Sequence, residues 1–258
     1  MGKFTEAIRK AAEKRIERVE RKEEIKPYVI RTVADSKVDP HIIAYFDPIS
    51  PISEQYRIMR TNLQALDKQN PPRVIAITSS IHGEGKTVTS VNLAITFAHD
   101  LNKKSILLVD ADLRRGTLTK DLGLKAEKGL ADILIDGAKV EDSLLGIGID
   151  NLHVLPAGNR QHNPAELLGS AKMKTLISEL KRNYDYVFFD CPPVVPITDA
   201  VVLGAETDGA LMIVQAGRTQ RGVISHAQDL LRAAHVKVLG CCVTNIEYHI
   251  PEYIYRYL

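Results

Sequence analysis

Tryptophan is absent from the 258 residues, and cysteine is scarce. The three cysteines include the neighbours Cys241 and Cys242, and they form neither a metal-ligand spacing nor a disulfide framework. Such usage fits a reducing cytosol. No apolar run reaches the roughly 18 residues of a membrane span, and the charged first 26 residues do not read as a secretory leader. A cytoplasmic protein is expected, with any membrane association made through a partner or a surface contact. An excess of one charge is also missing. Lys and Arg number 34 against 32 Asp and Glu, for a net charge of +2, which excludes nucleic-acid binding driven by bulk charge. No internal repeat points to a solenoid. What remains is a hydrophobic fraction of 45% in a length that suits one large α/β domain.

The strongest local signal is residues 74–90, VIAITSSIHGEGKTVTS. A short apolar run breaks into Thr78-Ser79-Ser80. Gly83-Glu84-Gly85-Lys86-Thr87 follows, and then residues able to start a helix. Strand, glycine loop and helix in that order bring several N–H groups to one spot beside the positive end of a helix dipole, where a polyphosphate fits. Residues 83–88, through Val88, are the expected nucleotide-binding segment. Lys86 would reach the β and γ phosphates, and the Thr87 hydroxyl would ligate Mg²⁺. The usual G-x-x-x-x-G-K-[ST] pattern has Gly where this chain has Ser80.

The remainder alternates. Residues 3–26 carry an apolar stripe (Phe4, Ile8, Ala12, Ile16, Val19) on an otherwise charged helix, which reads as a solvated arm or as a surface for a partner or an anionic membrane. Residues 27–50, with Pro27, Pro40 and Pro48, read as an extended connection. Ser50-Pro51 caps a helix over about 52–66, on which Glu54, Arg57 and Arg60 form one charged stripe. Beyond the glycine loop, helices are expected over about 86–101, 129–135, 140–145, 164–182, 200–205 and 219–234. Strands are expected at 105–110, 152–155, 186–190, 211–215 and 236–243. Strands apolar on both faces and separated by helices indicate a mostly parallel sheet covered on both sides, a three-layer α/β sandwich of the P-loop NTPase class. Ligands bind such sheets at the carboxyl ends of the strands.

Three carboxylates are expected at that edge. Asp110 and Asp112 lie in LLVDADLRRG, and Asp190 ends YVFFD before Pro192-Pro193. Oxygen ligands beside a triphosphate suit Mg²⁺, with Thr87, Asp110 and Asp190 as its protein ligands. Arg114 and Arg115 are candidates for neutralising phosphate charge. The last eleven residues, YHIPEYIYRYL, hold four of the nine tyrosines: Tyr248, Tyr253, Tyr255 and Tyr257. Their alternation permits an aromatic edge strand, whereas Pro251 and the chain end favour a tail of hydroxyls serving as phosphoryl acceptors.

With these motifs in place, the chain resembles the bacterial tyrosine kinases of the capsule and exopolysaccharide type. The likeness covers about residues 50–258. It rests on SSIHGEGKT, LLVDADLRRG, YVFFDCPP, the Glu54/Arg57/Arg60 stripe and the tyrosine cluster, and it departs at Gly116, where the family pattern commonly has Pro. The resemblance implies a stand-alone cytoplasmic kinase: residues 1–50 a charged helix and linker, 51–247 the kinase domain, 248–258 a flexible acceptor tail. It implies ATP and Mg²⁺ as cofactors. Lys86, Asp110, Asp112 and Asp190 would be the catalytic group, with Asp112 taking the tyrosine proton. A phenol of pKa ~10 is about 0.1% ionised at pH 7, a deficit of ~4 kcal/mol that a base relieves. Asn245 resembles the adenine-reading position of related ATPases, and it also reads as an ordinary turn asparagine.

The resemblance further implies a homo-oligomeric ring in which Glu54, Arg57 and Arg60 of one copy face its neighbour and each tail reaches the next site. It implies a membrane-bound activator of the chain-length-determinant kind that recruits the chain to the inner membrane face. A protein-tyrosine phosphatase and sugar-metabolism enzymes are implied as regulators or substrates. The competing reading is a positioning ATPase of the cell-division or partition class, which hydrolyses ATP without modifying protein. Those ATPases often carry an extra lysine early in the phosphate loop, and here Ser79, Ser80, Ile81 and His82 fill that region.

Overall fold

The computed structural model describes residues 31–32 and 38–246. The tyrosines at 248, 253, 255 and 257 and the apolar stripe of residues 3–26 lie outside the described residues.

Strands form where consecutive apolar residues bury both faces. β2 (Val74–Ser79), β3 (Ile106–Asp110) and β6 (Tyr186–Asp190) are buried at every position. Alternation sends Val74, Ala76, Leu107, Val109, Val187 and Phe189 to one side of the sheet. It sends Ile75, Ile77, Ile106, Leu108, Tyr186 and Phe188 to the other. Two cores result, one on each face, which makes a three-layer sandwich.

Five further strands complete the sheet: β1 (Arg31–Thr32), β4 (Leu145–Gly146), β5 (Leu152–Leu155), β7 (Gly209–Gln215) and β8 (Val238–Thr244). The order among the described residues is β1-β4-β5-β3-β6-β2-β7-β8. Every pairing is parallel except β4 with β5. β2 therefore lies between β6 and β7, with β3 one strand further on. Register pairs Ile77 with Asp190 and Asp190 with Asp110, so these strands end together.

On one face lie α1 (Ile43–Phe46), α2 (Pro51–Ala65), α3 (Lys86–Ala98) and α4 (Leu118–Asp121). The other carries α5 (Leu130–Asp136), α7 (Pro164–Leu168), α8 (Ala171–Asn183), α9 (Asp199–Gly204) and α10 (Arg221–Ala233), with the short α6 (Val140–Ser143) between α5 and β4. Ser50 caps α2 by accepting from the Ser53 N–H at 3.1 Å, and Pro51 takes its first turn, as the sequence indicates.

Three expectations are corrected. Residues 38–50 are not an extended linker. Ile42 is fully buried, α1 forms, and buried Asn92 of α3 accepts from the Ala44 N–H at 2.8 Å and donates to the His41 carbonyl at 3.0 Å. This stretch therefore packs with the body that the sequence reading begins at residue 51. The single helix expected over 164–182 is two, because Ser170 turns extended and caps α8, accepting from the Met173 N–H at 3.2 Å. Gly169 there passes so close to α9 that a Cβ would lie 3.0 Å from Val202 Cγ1. The helix expected over 140–145 stops at Ser143, and Leu145 enters the sheet.

Candidate active site

The carboxyl ends of β2, β3, β6, β7 and β8 converge on the loop between Ser79 and Lys86. Gly83 and Gly85 take φ of +80° and +87°, a region that side chains rarely adopt. Gly85 is the N-cap of α3, and no side chain caps it. The first N–H groups of a helix have no intrahelical partner, so Lys86, Thr87 and Val88 present theirs at the sheet edge. This is a cradle for an anion, with Lys86 half-buried at its rim.

Asp190 is the hub beneath it. Thr87 donates its hydroxyl to Asp190 Oδ2 at 2.7 Å, and Ser90 donates to Oδ1 at 3.0 Å. Burial pushes the Asp190 carboxyl up to about 6, while the Lys86 charge and the two hydroxyls pull the other way. Asp110, its register partner on β3, is raised well above the ordinary carboxylate range, first by burial and then by the Asp190 charge. Asp110 accepts from the Asp112 and Leu118 N–H groups, each at 3.1 Å. Asp112 lies at the mouth, 8% exposed, and accepts from the Arg115 N–H at 3.1 Å. The structure thus brings together Lys86, Thr87, Asp110, Asp112 and Asp190 around one loop.

The donor set suits Mg²⁺. Among the described residues no cluster of three or more His, Cys, Asp or Glu side chains could hold a metal ion unaided. Mg²⁺ does not need one, since it is held by one or two carboxylates together with phosphate oxygens and water. The Thr87–Asp190 contact directly below the anion cradle supplies that kind of site.

The segment after β6 is tied to the end of β2 and the start of the loop. Thr78 donates to the Pro192 carbonyl at 2.7 Å, and the N–H groups of Val194 and Val195 reach the Ser79 and Ser80 carbonyls at 2.8 and 3.2 Å. Ser80, standing where the usual pattern has Gly, is fully buried. Gly116 has φ +57°, which proline cannot adopt, so this turn is built differently from one ending in Pro. Asn245 follows β8 with φ +53° and is exposed.

Two charge assignments change. Arg114 is engaged by a carboxylate: its guanidinium meets Asp199 through two parallel hydrogen bonds of 2.8 and 3.0 Å. Arg60 leaves the exposed stripe. It donates to the Thr96 carbonyl at 2.6 Å, while Glu54 and Arg57 pair with each other at 2.9 Å. The sequence reading missed Ser90 and Asp199. Ser90 was within reach, because it stands three residues after Thr87 on the same helix face. Asp199 carries no local signal.

Comparison with known proteins places the fold in a family. Residues 72–227 match the model of an AAA domain family, AAA_31. The chain is 36% identical to the tyrosine-protein kinase YwqD of Bacillus subtilis over 84% of its own length and 90% of that protein. It superimposes on the kinase domain of the Escherichia coli tyrosine kinase ETK with a TM-score of 0.75 at 26% identity, covering 84% of this chain and 86% of that one. The septum site-determining protein MinD of Pyrococcus horikoshii, solved with Mg-ADP, stands further off, with a TM-score of 0.57 at 25% identity over 70% and 75% of the two chains.

Proposed function

The chain belongs to the bacterial tyrosine kinases of the capsule and exopolysaccharide type, within the AAA-domain family, and from that premise we propose that its substrates include its own Tyr248, Tyr253, Tyr255 and Tyr257, presented to the site by a second copy. The chemistry is phosphoryl transfer from ATP to a phenol oxygen. The bond from the γ-phosphorus to the β-bridging oxygen breaks, a bond to the tyrosine oxygen forms, ADP leaves, and the phenolic proton passes to Asp112. The observation that carries this reading is the uncapped N-terminus of α3 standing over two strand-end carboxylates, Asp110 and Asp190, with Asp112 just beyond them.

The residues divide the work. The N–H groups of residues 83–88 and the Lys86 ammonium hold the β and γ phosphates in line. Thr87, Asp110 and Asp190 would hold Mg²⁺, which when bound neutralises charge on the transferring group. Asp112, nearest the mouth, takes the proton. Asn245, beyond the end of β8, would read the base. Glu54 and Arg57 supply the exposed contact between copies, with Arg60 bracing their helix from behind. A membrane-bound activator, and recruitment to the inner membrane face through it, complete the assignment. Among the described residues no helix is long and apolar enough to cross a membrane.

Incubation with Mg-ATP followed by mass analysis of tail peptides tests the reading. Phosphate is expected on the terminal tyrosines and on none of them in Lys86→Met. ADP release with an unmodified tail would instead favour the positioning-ATPase class, to which MinD belongs.

A further inference from the structure

Glu84 sits in the middle of the phosphate loop and is 1% exposed. A carboxylate there works against binding an anion, and burial adds a cost unless donors surround it. Its partners explain its presence. Oε2 accepts from the Ile81 N–H of the same loop at 2.8 Å. Oε1 accepts from the Gln215 N–H at 3.1 Å and from the Thr219 hydroxyl. Its backbone carbonyl accepts from the Thr244 hydroxyl at 2.8 Å. One residue therefore ties three segments together: the phosphate loop, the β7–α10 connection and the end of β8.

The connection holds on a second time. Gly217 turns it with φ +68°, and Arg218 donates to the Gly83 carbonyl at 2.8 Å and to Gln215 Oε1 at 3.0 Å. A Cβ on Gly83 would lie 2.7 Å from Arg218 Nη1, so the guanidinium rests directly on the loop. Asn245, the candidate for the base, follows Thr244 in the chain. The two ends of a nucleotide thus fall on segments joined through Glu84.

We propose that Glu84 is a positioning residue: its carboxylate clasps to the phosphate loop the β7–α10 connection, whose Ala216 N–H donates to the Thr244 carbonyl at 2.9 Å beside Asn245, and so holds phosphate and base subsites at the spacing one nucleotide requires. This rests on ATP being the ligand of the loop. The residue type follows from chemistry. A carboxylate is acceptor-only and takes all three donors, whereas glutamine would turn an N–H₂ toward another N–H.

Charge and geometry predict opposite outcomes for Glu84→Gln. Removing a negative charge beside the phosphates should tighten Mg-ATP binding, whereas loosening the clasp should weaken it. Titration calorimetry with Mg-ATP on the whole chain is expected to show the dissociation constant rising roughly tenfold, ~1.4 kcal/mol, the size of one lost hydrogen bond. Thr219→Val should raise it by a smaller factor, and the double variant should add little to Glu84→Gln, because the two share a contact. KM for ATP should rise more than kcat falls. An unchanged or tighter dissociation constant in Glu84→Gln overturns the proposal, even if the melting temperature drops. If that variant does not fold, an unchanged constant in Thr219→Val overturns it. A wild-type chain that fails to bind Mg-ATP defeats the ATP reading itself, a separate result.

Discussion

Asp199 is fully buried at the start of α9, and Arg114 reaches it from the loop that carries Asp112. The pair does two things. It pairs a carboxylate taken out of water with a counter-charge, and it pins the Asp112 loop to the segment after β6. A planar guanidinium matches a carboxylate through two bonds, and an ammonium cannot. Arg114→Ala leaves Asp199 buried without its counter-charge, which is expected to cost about 3 kcal/mol. That corresponds to a drop in melting temperature of roughly 6–12 °C for a chain of this size, readable by calorimetry. Arg114→Lys should recover part of the stability and less of the kinase rate, since Asp112 would still shift. Equal stability in Arg114→Ala and the wild type would show that the pair holds nothing in place.

The element that begins the site is β2, and its first residues are fixed from outside the sheet. Asp208, just before β7, accepts from the Arg73 and Val74 N–H groups at 2.8 and 2.9 Å through Oδ2 and from Lys181 at 2.6 Å through Oδ1. Burial raises its pKa, but the Lys181 ammonium and the two N–H groups outweigh that and hold the carboxyl below its ordinary value. A lowered carboxylate stabilises the fold above its unfolded pKa near 3.9, and the contribution fades as pH falls through the lower folded value. Asp208→Asn would keep an acceptor for the N–H groups and set an amide donor against Lys181. It should lower unfolding free energy by about 1–2 kcal/mol at pH 7. The gap to the wild type should narrow below about pH 4. Denaturant titrations at the two pH values measure both, and a gap independent of pH would contradict the ionic part. Asp208 also illustrates what a sequence reveals. The strands at 106–110 and 186–190 were legible because burial on both faces demands unbroken apolar runs. The phosphate loop was legible because its glycines have a local cause. The break at Gly169-Ser170, the docking of Ile42 and the Arg114–Asp199 pair were not, since each depends on a partner distant in the chain: Val202, Asn92 and residues 85 positions apart.

For the whole molecule the open choice is between a site that modifies its own tail and one that modifies a neighbour's. Chain reach does not decide it. Thr244 contacts the phosphate loop, and the eight residue steps from Asn245 to Tyr253 span up to roughly 27 Å when extended, enough to return to the same site. α2 favours a neighbour. Its Glu54–Arg57 pair faces outward, and Arg60 anchors the helix to the last turn of α3, whose first turn is the phosphate cradle. A contact made on α2 would thus bear on the helix that holds ATP. Mixing two variants separates the routes. One is Lys86→Met with its tyrosines intact. The other is active, with Phe at 248, 253, 255 and 257. Transfer between copies puts phosphate on the Lys86→Met chain, at an initial rate rising faster than linearly with concentration. Glu54→Ala together with Arg57→Ala in both chains should reduce the particle mass seen by light scattering and suppress that transfer, while Mg-ATP affinity stays within about twofold, since an exposed ion pair contributes only ~0.2–1 kcal/mol to the fold itself. A Lys86→Met chain that stays unmodified at every concentration, beside an active wild type whose own tail is filled, would assign the reaction to a single copy.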